Sequence, residues 1–186
     1  RRSELEFKMK NLFKDDAVDD IQPDLFGGLM ALDITLSDNM STAHVSTLWL
    51  NELNAEIEPF ELAEVNEKYM SSPSLRYVYA NSISRNGLFL DSLQKIDLLS
   101  NTSTVYSDVQ SNVYLTSPAF IEREFAVQED DGYIVCYAYN VNEHNSRIYI
   151  FNASNITQAL TIMQLEFHVP ILFHGTFVKH SAAVST

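Results

Sequence analysis

The chain is built from short runs in which hydrophobic and polar residues alternate, each cut off by turn residues. Leu5, Phe7 and Met9 alternate with Glu6, Lys8 and Lys10. A period of two places one face of a strand on a core and the other in water. After an acidic loop (Asp15, Asp16, Asp19, Asp20, Asp24) and a Gly27-Gly28 turn, strand-like runs follow at 29–36, 44–50, 57–65 and 75–80. Asn86-Gly87 is a strong hairpin signal, because both central residues of a type I′ turn need positive φ. It leads into Leu88-Phe89-Leu90. Asp131-Gly132 is a second such signal, feeding Tyr133 to Tyr139. The runs 92–98, 103–107, 113–122, 146–151, 160–167 and 171–178 complete the pattern. Roughly a dozen short strands at this spacing predict a sandwich, a barrel or propeller blades. Helix signals are thin: residues 61–70 hold at most a short helical turn, bracketed by Pro59 and Pro73. No linker or sharp repeat divides the sequence, so residues 1–186 read as one all-β unit.

Composition narrows the partners. With 11 Phe, 9 Tyr and 1 Trp, the chain has the aromatic content that disordered segments lack. Its net charge of −13 argues against nucleic acid, which is bound by neutralising phosphates with Lys and Arg. The same charge disfavours anionic lipid, while an apolar substrate or a peripheral, hydrophobic membrane contact stays open. No apolar run approaches the ~20 residues of a membrane helix. Cys136 is the only cysteine, which excludes an internal disulfide and a thiolate-rich metal site. A reducing, cytoplasmic setting fits that usage, with or without membrane association.

Five histidines are present: His44, His144, His168, His174 and His180. None forms the helical His pair of a zinc protease. No nucleophile elbow or phosphate-binding loop occurs either. His144 lies in the polar run Asn142-Glu143-His144-Asn145 and reads as an exposed loop residue. His168 shares the spacing of a strand face with His174, but Pro170 interrupts it, so His168 reads as structural. His174 sits between Phe173 and Gly175 in the apolar stretch 169–178. A buried imidazole there needs a partner. The residues alone leave a hydrogen-bonded core histidine and a metal ligand both open, the first being the commoner. Gly175 suggests a close backbone approach or a bend.

Several segments, in order, resemble the carotenoid cleavage oxygenases. Val169-Pro170 followed by Phe173-His174-Gly175-Thr176-Phe177 is similar to that family's C-terminal signature. Gln128-Glu129-Asp130-Asp131-Gly132-Tyr133 resembles its acidic turn, and Phe151-Asn152-Ala153 the strand that follows. Pro118-Ala119-Phe120-Ile121 and Ser92-Leu93-Gln94-Lys95-Ile96-Asp97 match further elements. So does Phe60-Glu61-Leu62-Ala63-Glu64-Val65-Asn66 with Arg76-Tyr77-Val78-Tyr79. The likeness runs from about Phe60 to the end, and its flavour is that of the animal, retinoid-handling subgroup.

This resemblance implies a seven-bladed β-propeller that holds Fe(II) on its axis with four histidines and uses O2 to cleave a carbon–carbon double bond of a polyene. At four strands per blade, a dozen strands make about three blades. A full propeller at about 40–45 residues per blade needs far more than this chain. With no initiating Met, the chain is expected to be the C-terminal portion of a longer protein. By the resemblance, His174 is an iron ligand and the other three histidines lie N-terminal to the matched region. Glu61 is a carboxylate that accepts the N–H of a metal-bound imidazole and orients the ring. The residue before Pro118, a further such Glu in the family, is Ser117 here, and Ala63 replaces the family's Pro.

Three functions follow as alternatives. The leading expectation is an Fe(II)-dependent oxygenase acting on a carotenoid or apocarotenoid, inactive as this piece alone. The second is retinoid isomerohydrolase chemistry on the same scaffold. The third, favoured by Ser117, is a non-enzymatic, vestigial β-module. Taken by itself, the incomplete propeller is expected to expose blade edges and to aggregate.

Overall fold

Eleven strands form from these runs in a computed structural model that describes residues 30–49, 57–83, 90–108, 112–170 and 174–178. The alternating run at Leu5–Met9 and the Asn86-Gly87 turn lie outside the described residues. β1 (Met30–Leu36) and β2 (Ala43–Trp49) pair as an antiparallel hairpin. Its Leu32, Ile34, Leu36 and Val45 side chains are all at least half exposed.

The next four strands form a meander whose spatial order is the sequence order: β3 (Phe60–Glu64), β4 (Tyr77–Ser82), β5 (Ser92–Asp97) and β6 (Thr102–Ser107). The third sheet is built on β9 (Gly132–Asn140). β10 (Asn145–Asn152) and β11 (Asn155–Gln164) extend it on one side. β7 (Val113–Leu115) and β8 (Ala119–Glu122) share the other edge of β9. An antiparallel four-stranded meander is the unit of a propeller blade. The described strands supply two such sheets and a further hairpin.

The main core lies between the two larger sheets. Along β9, Ile134, Cys136 and Ala138 are fully buried and the residues between them only partly so. This is the period of two expected of a strand with one face on a core. They pack with Tyr79, Leu93, Val113, Leu115, Tyr149, Phe151 and Ile156. Tyr149 and Phe151 are fully buried and stack with ring centroids 6.2 Å apart. Tyr106 meets Phe151 edge-on at 4.8 Å. Burial pushes the Cys136 thiol up to about 12, so it stays protonated and acts as a small hydrophobe. A smaller cluster of Ile57, Phe60, Val78, Ala80 and Ile96 covers the opposite face of the β3–β6 sheet.

The acidic turn fastens the two sheets together. Both Arg76 N–H and Tyr77 N–H donate to the Glu129 carboxylate, at 2.7–3.0 Å. Asn66 Nδ2 donates to the Glu129 carbonyl at 2.9 Å. Lys95 Nζ pairs with Asp130 Oδ2 at 2.7 Å, donates to the Ser154 carbonyl at 3.1 Å and lies 4.1 Å from the Tyr77 ring centre.

Four expectations are corrected. Asp131-Gly132 does not make a type I′ hairpin: no described glycine has positive φ, and nine residues separate Glu122 from its partner Gly132. Gly132 is needed for room instead, since a Cβ there would meet Ile121 O at 2.5 Å and Phe120 Cζ at 2.8 Å. The run 113–122 is two strands, because Pro118 cannot donate to the ladder. Thr116 N–H reaches Tyr137 O at 2.9 Å, and the register then shifts by one before β8. β11 begins at Asn155 rather than Leu160, because Ala153-Ser154 is a tight turn in which Ser154 N–H bonds Asn152 Oδ1. Residues 174–178 form no strand, and a Cβ at Gly175 would touch nothing within 4 Å. The short helical turn expected within 61–70 is present as one 3₁₀ turn, Glu67–Tyr69, capped by Asn66.

Candidate functional site

The route of the chain after β11 decides where His174 goes. Leu165 N–H closes on Ser146 O at 2.8 Å and Val169 N–H on Ser146 Oγ at 2.9 Å. Tyr137 Oη also donates to the Val169 carbonyl. His168 packs edge-on against Tyr139, with ring centroids 5.1 Å apart. His168 is therefore held by an aromatic contact, in keeping with a structural role. These bonds carry residues 165–170 across the outer face of β9 and β10. Beyond them His174 is exposed. Thr176 and Phe177 then line a cleft of about 860 Å³ with Glu64, Phe120, Arg123 and Phe125. Glu64 of β3 and Thr176-Phe177 thus share this cleft, whose lining includes neither Glu61 nor His174.

β3 contains a bulge. Glu61 pairs with Asn81 and Glu64 with Tyr79, so three steps on β3 match two on β4. Leu62 takes up the extra residue at φ 54°. A simple period of two would put Glu61 and Glu64 on opposite faces. The bulge returns both to the face shared by Asn81 and Tyr79, a re-aiming that bulges perform beside active sites. Glu61 is exposed. Glu64 is half-buried and accepts the Phe120 N–H at 3.4 Å. Burial raises its carboxyl above the usual carboxylate range, an effect the Phe120 bond partly offsets and nearby Glu67 adds to.

Pattern reading missed Glu64, since only the bulge reveals its face. It missed Asn81 as well, because an Asn late in a strand carries no signal of its own. Ser117 is partly buried, and its hydroxyl lies 3.5 Å from the Pro118 carbonyl. Glu122 is an exposed residue paired with Lys68 at 3.3 Å. His144 occupies the β9–β10 turn with φ 52°, and His44 stands exposed on β2.

Among the described residues no three His, Cys, Asp or Glu side chains converge as a metal site. An exposed neutral imidazole suits Fe(II) as one ligand. His174 carries such an imidazole at an exposed position, and a set of three or more ligands would need residues beyond the described ones. No described helix is long and apolar enough to cross a membrane.

Comparison with known proteins agrees with this architecture. The family model for retinal pigment epithelial membrane protein matches residues 4–179. The apocarotenoid-15,15'-oxygenase of Synechocystis is 33% identical over 107 residues, which cover 56% of this chain and 22% of that protein. The crystal structure of a chimera of that oxygenase with RPE65 superposes with a TM-score of 0.71 at 26% identity. The match covers 90% of this chain and 33% of the chimera. Cobalt-substituted Synechocystis oxygenase gives a TM-score of 0.71 at 27% identity, over 90% of this chain and 33% of that one. The chain therefore spans about a fifth of the curated relative and a third of each solved structure. The all-β sheets described above are a part of that propeller fold, and the chain belongs to the retinal pigment epithelial membrane protein family of carotenoid cleavage oxygenases.

Proposed function

We propose that this chain works as the C-terminal portion of a longer polypeptide that cleaves a carbon–carbon double bond of a carotenoid or apocarotenoid with O2. Within it, His174 is one ligand to Fe(II), and Glu61 accepts the N–H of a metal-bound imidazole. The observation that supports the reading is the exposed His174 in a segment whose Thr176 and Phe177 line the cleft beside Glu64 of β3.

Bound iron would supply the site for O2 and the electrons that activate it. The chain's own residues do the rest. His174 donates a neutral ring nitrogen, and a carboxylate acceptor fixes the tautomer and orientation of the imidazole it faces. The Glu129 and Asp130 contacts tie β4 and β5 of the β3–β6 sheet to the sheet that residues 165–170 cross. Phe120, Phe125 and Phe177 give the cleft an apolar strip beside charged walls of Glu64, Lys68 and Arg123. Peripheral contact with a membrane would deliver a polyene substrate.

A second reading, a vestigial binding module, is favoured by Ser117, where only a weak hydroxyl contact stands in place of a carboxylate. Aerobic incubation of the iron-loaded polypeptide with an apocarotenoid, followed by mass spectrometry of carbonyl products, separates the two. The oxygenase reading expects two carbonyl fragments that vanish in His174→Ala. Unchanged turnover in that variant removes His174 from the mechanism. Isomerised retinol from a retinyl ester, without cleavage, would assign isomerohydrolase chemistry to the site.

A further inference from the structure

We propose that Asn81 is a positioning residue that holds the Glu61 carboxylate; the inference rests on the role given to Glu61 above. Asn81 is fully buried, yet neither its Nδ2 nor its Oδ1 has a hydrogen-bond partner among the described residues. An unmade bond of this kind costs the full desolvation of the group, and buried polar groups in folded proteins are nearly always satisfied. An orphaned carboxamide beside a proposed ligand-orienting strand is therefore a cost that the fold alone does not repay.

Among the described neighbours, one carboxylate stands directly opposite Asn81. Across β5 stands Leu93, which can accept nothing. Two residues earlier on the same face, the Tyr79 hydroxyl is committed to the Ala153 carbonyl at 2.9 Å. Asp91, two residues before Leu93, already accepts the Ser92 hydroxyl at 2.8 Å. Across β3, directly opposite, stands Glu61. Opposed residues of antiparallel strands have Cβ atoms about 4.5–5.5 Å apart, which a carboxamide and a carboxylate bridge by side-chain rotation. An Asn81 Nδ2–H bond to one Glu61 oxygen is charge-assisted. It leaves the second oxygen to face an imidazole N–H. The bulge at Leu62 ends regular pairing immediately after Glu61, so Asn81 is the last regularly paired partner of that residue.

The test is Co(II) titration of the full-length polypeptide, followed by the visible absorption of the bound ion, for wild type, Glu61→Gln, Asn81→Leu and the double variant. Melting of each apo form is recorded alongside. The inference expects Asn81→Leu to weaken Co(II) binding by about tenfold, the lower end of what losing such a partner costs. It expects no loss of apo melting temperature, since an unsatisfied amide has been removed. It also expects no additional effect of Asn81→Leu when Glu61 is already Gln. Should the Leu variant fail to fold, Asn81→Ala is read the same way. If Glu61→Gln weakens binding and the Asn81 variants do not, the inference is overturned while the role of Glu61 stands. If Glu61→Gln also leaves binding unchanged, the role of Glu61 falls and takes the inference with it.

Discussion

Replacing Lys95 by Met isolates the contact that fixes one sheet against the other. Lys95 and Asp130 are each about nine-tenths buried, with 10% and 12% of their side chains exposed, and their charged atoms lie 2.7 Å apart. The ammonium also donates to Ser154 O and lies over Tyr77. Met keeps most of the aliphatic stem but takes away the cation paired with the largely buried Asp130 carboxylate. Removing one partner of a buried pair costs about 3–5 kcal/mol, of which the lost contact with the Tyr77 ring accounts for about 0.5–1 kcal/mol. Removing both costs far less, because no charge is left stranded. Lys95→Met with Asp130→Leu is therefore expected within about 1–2 kcal/mol of wild type. The assay is urea unfolding of the full-length polypeptide, reading the midpoint at unchanged slope. A single-variant cost below about 1 kcal/mol, or a double variant that costs the sum of the singles, would refute the claim that this pair joins the sheets.

Further outcomes follow from the same structure. Gly132→Ala is expected to cost about 1–3 kcal/mol, because its Cβ would sit 2.5 Å from the backbone oxygen of Ile121 and must displace β8; an unchanged melting temperature would contradict this. The bidentate Arg76–Asp97 pair (2.7 and 2.9 Å) holds the Asp97 carboxyl well below the usual carboxylate range. Its contribution is full above about pH 4 and is lost as pH falls through the lowered folded value. Asp97→Asn should therefore flatten the acid limb of a stability–pH curve, by about 1 kcal/mol for so solvated a pair. Glu64 runs the other way: its raised carboxyl binds its proton more tightly folded than unfolded. Stability should thus decline as pH rises from about 4.3 through the folded value, and Glu64→Gln should remove that decline.

Pattern alone located most strands. β9 and β10 fall within a residue or two of the expected runs because a single buried face imposes strict alternation. β5 is buried at almost every residue, and its Gln94 and Lys95 are satisfied by long-range partners that no local pattern encodes. Asp131-Gly132 misled because glycine serves two needs, positive φ and missing volume, and the sequence does not say which. The face of Glu64 was illegible because a one-residue bulge reverses the parity of everything after it. His174 was singled out through the resemblance of its flanking residues; its own apolar setting pointed rather to a core histidine, whereas the side chain is exposed.

The central claim is that His174 binds iron in the longer polypeptide. Anaerobic Fe(II) loading of that polypeptide, with metal measured per chain after desalting, tests it directly. The account predicts about one iron per chain in wild type and a loss of at least tenfold in affinity for His174→Ala, at an unchanged melting temperature of the apo protein. Equal iron retention by both forms, or none by either, would contradict it.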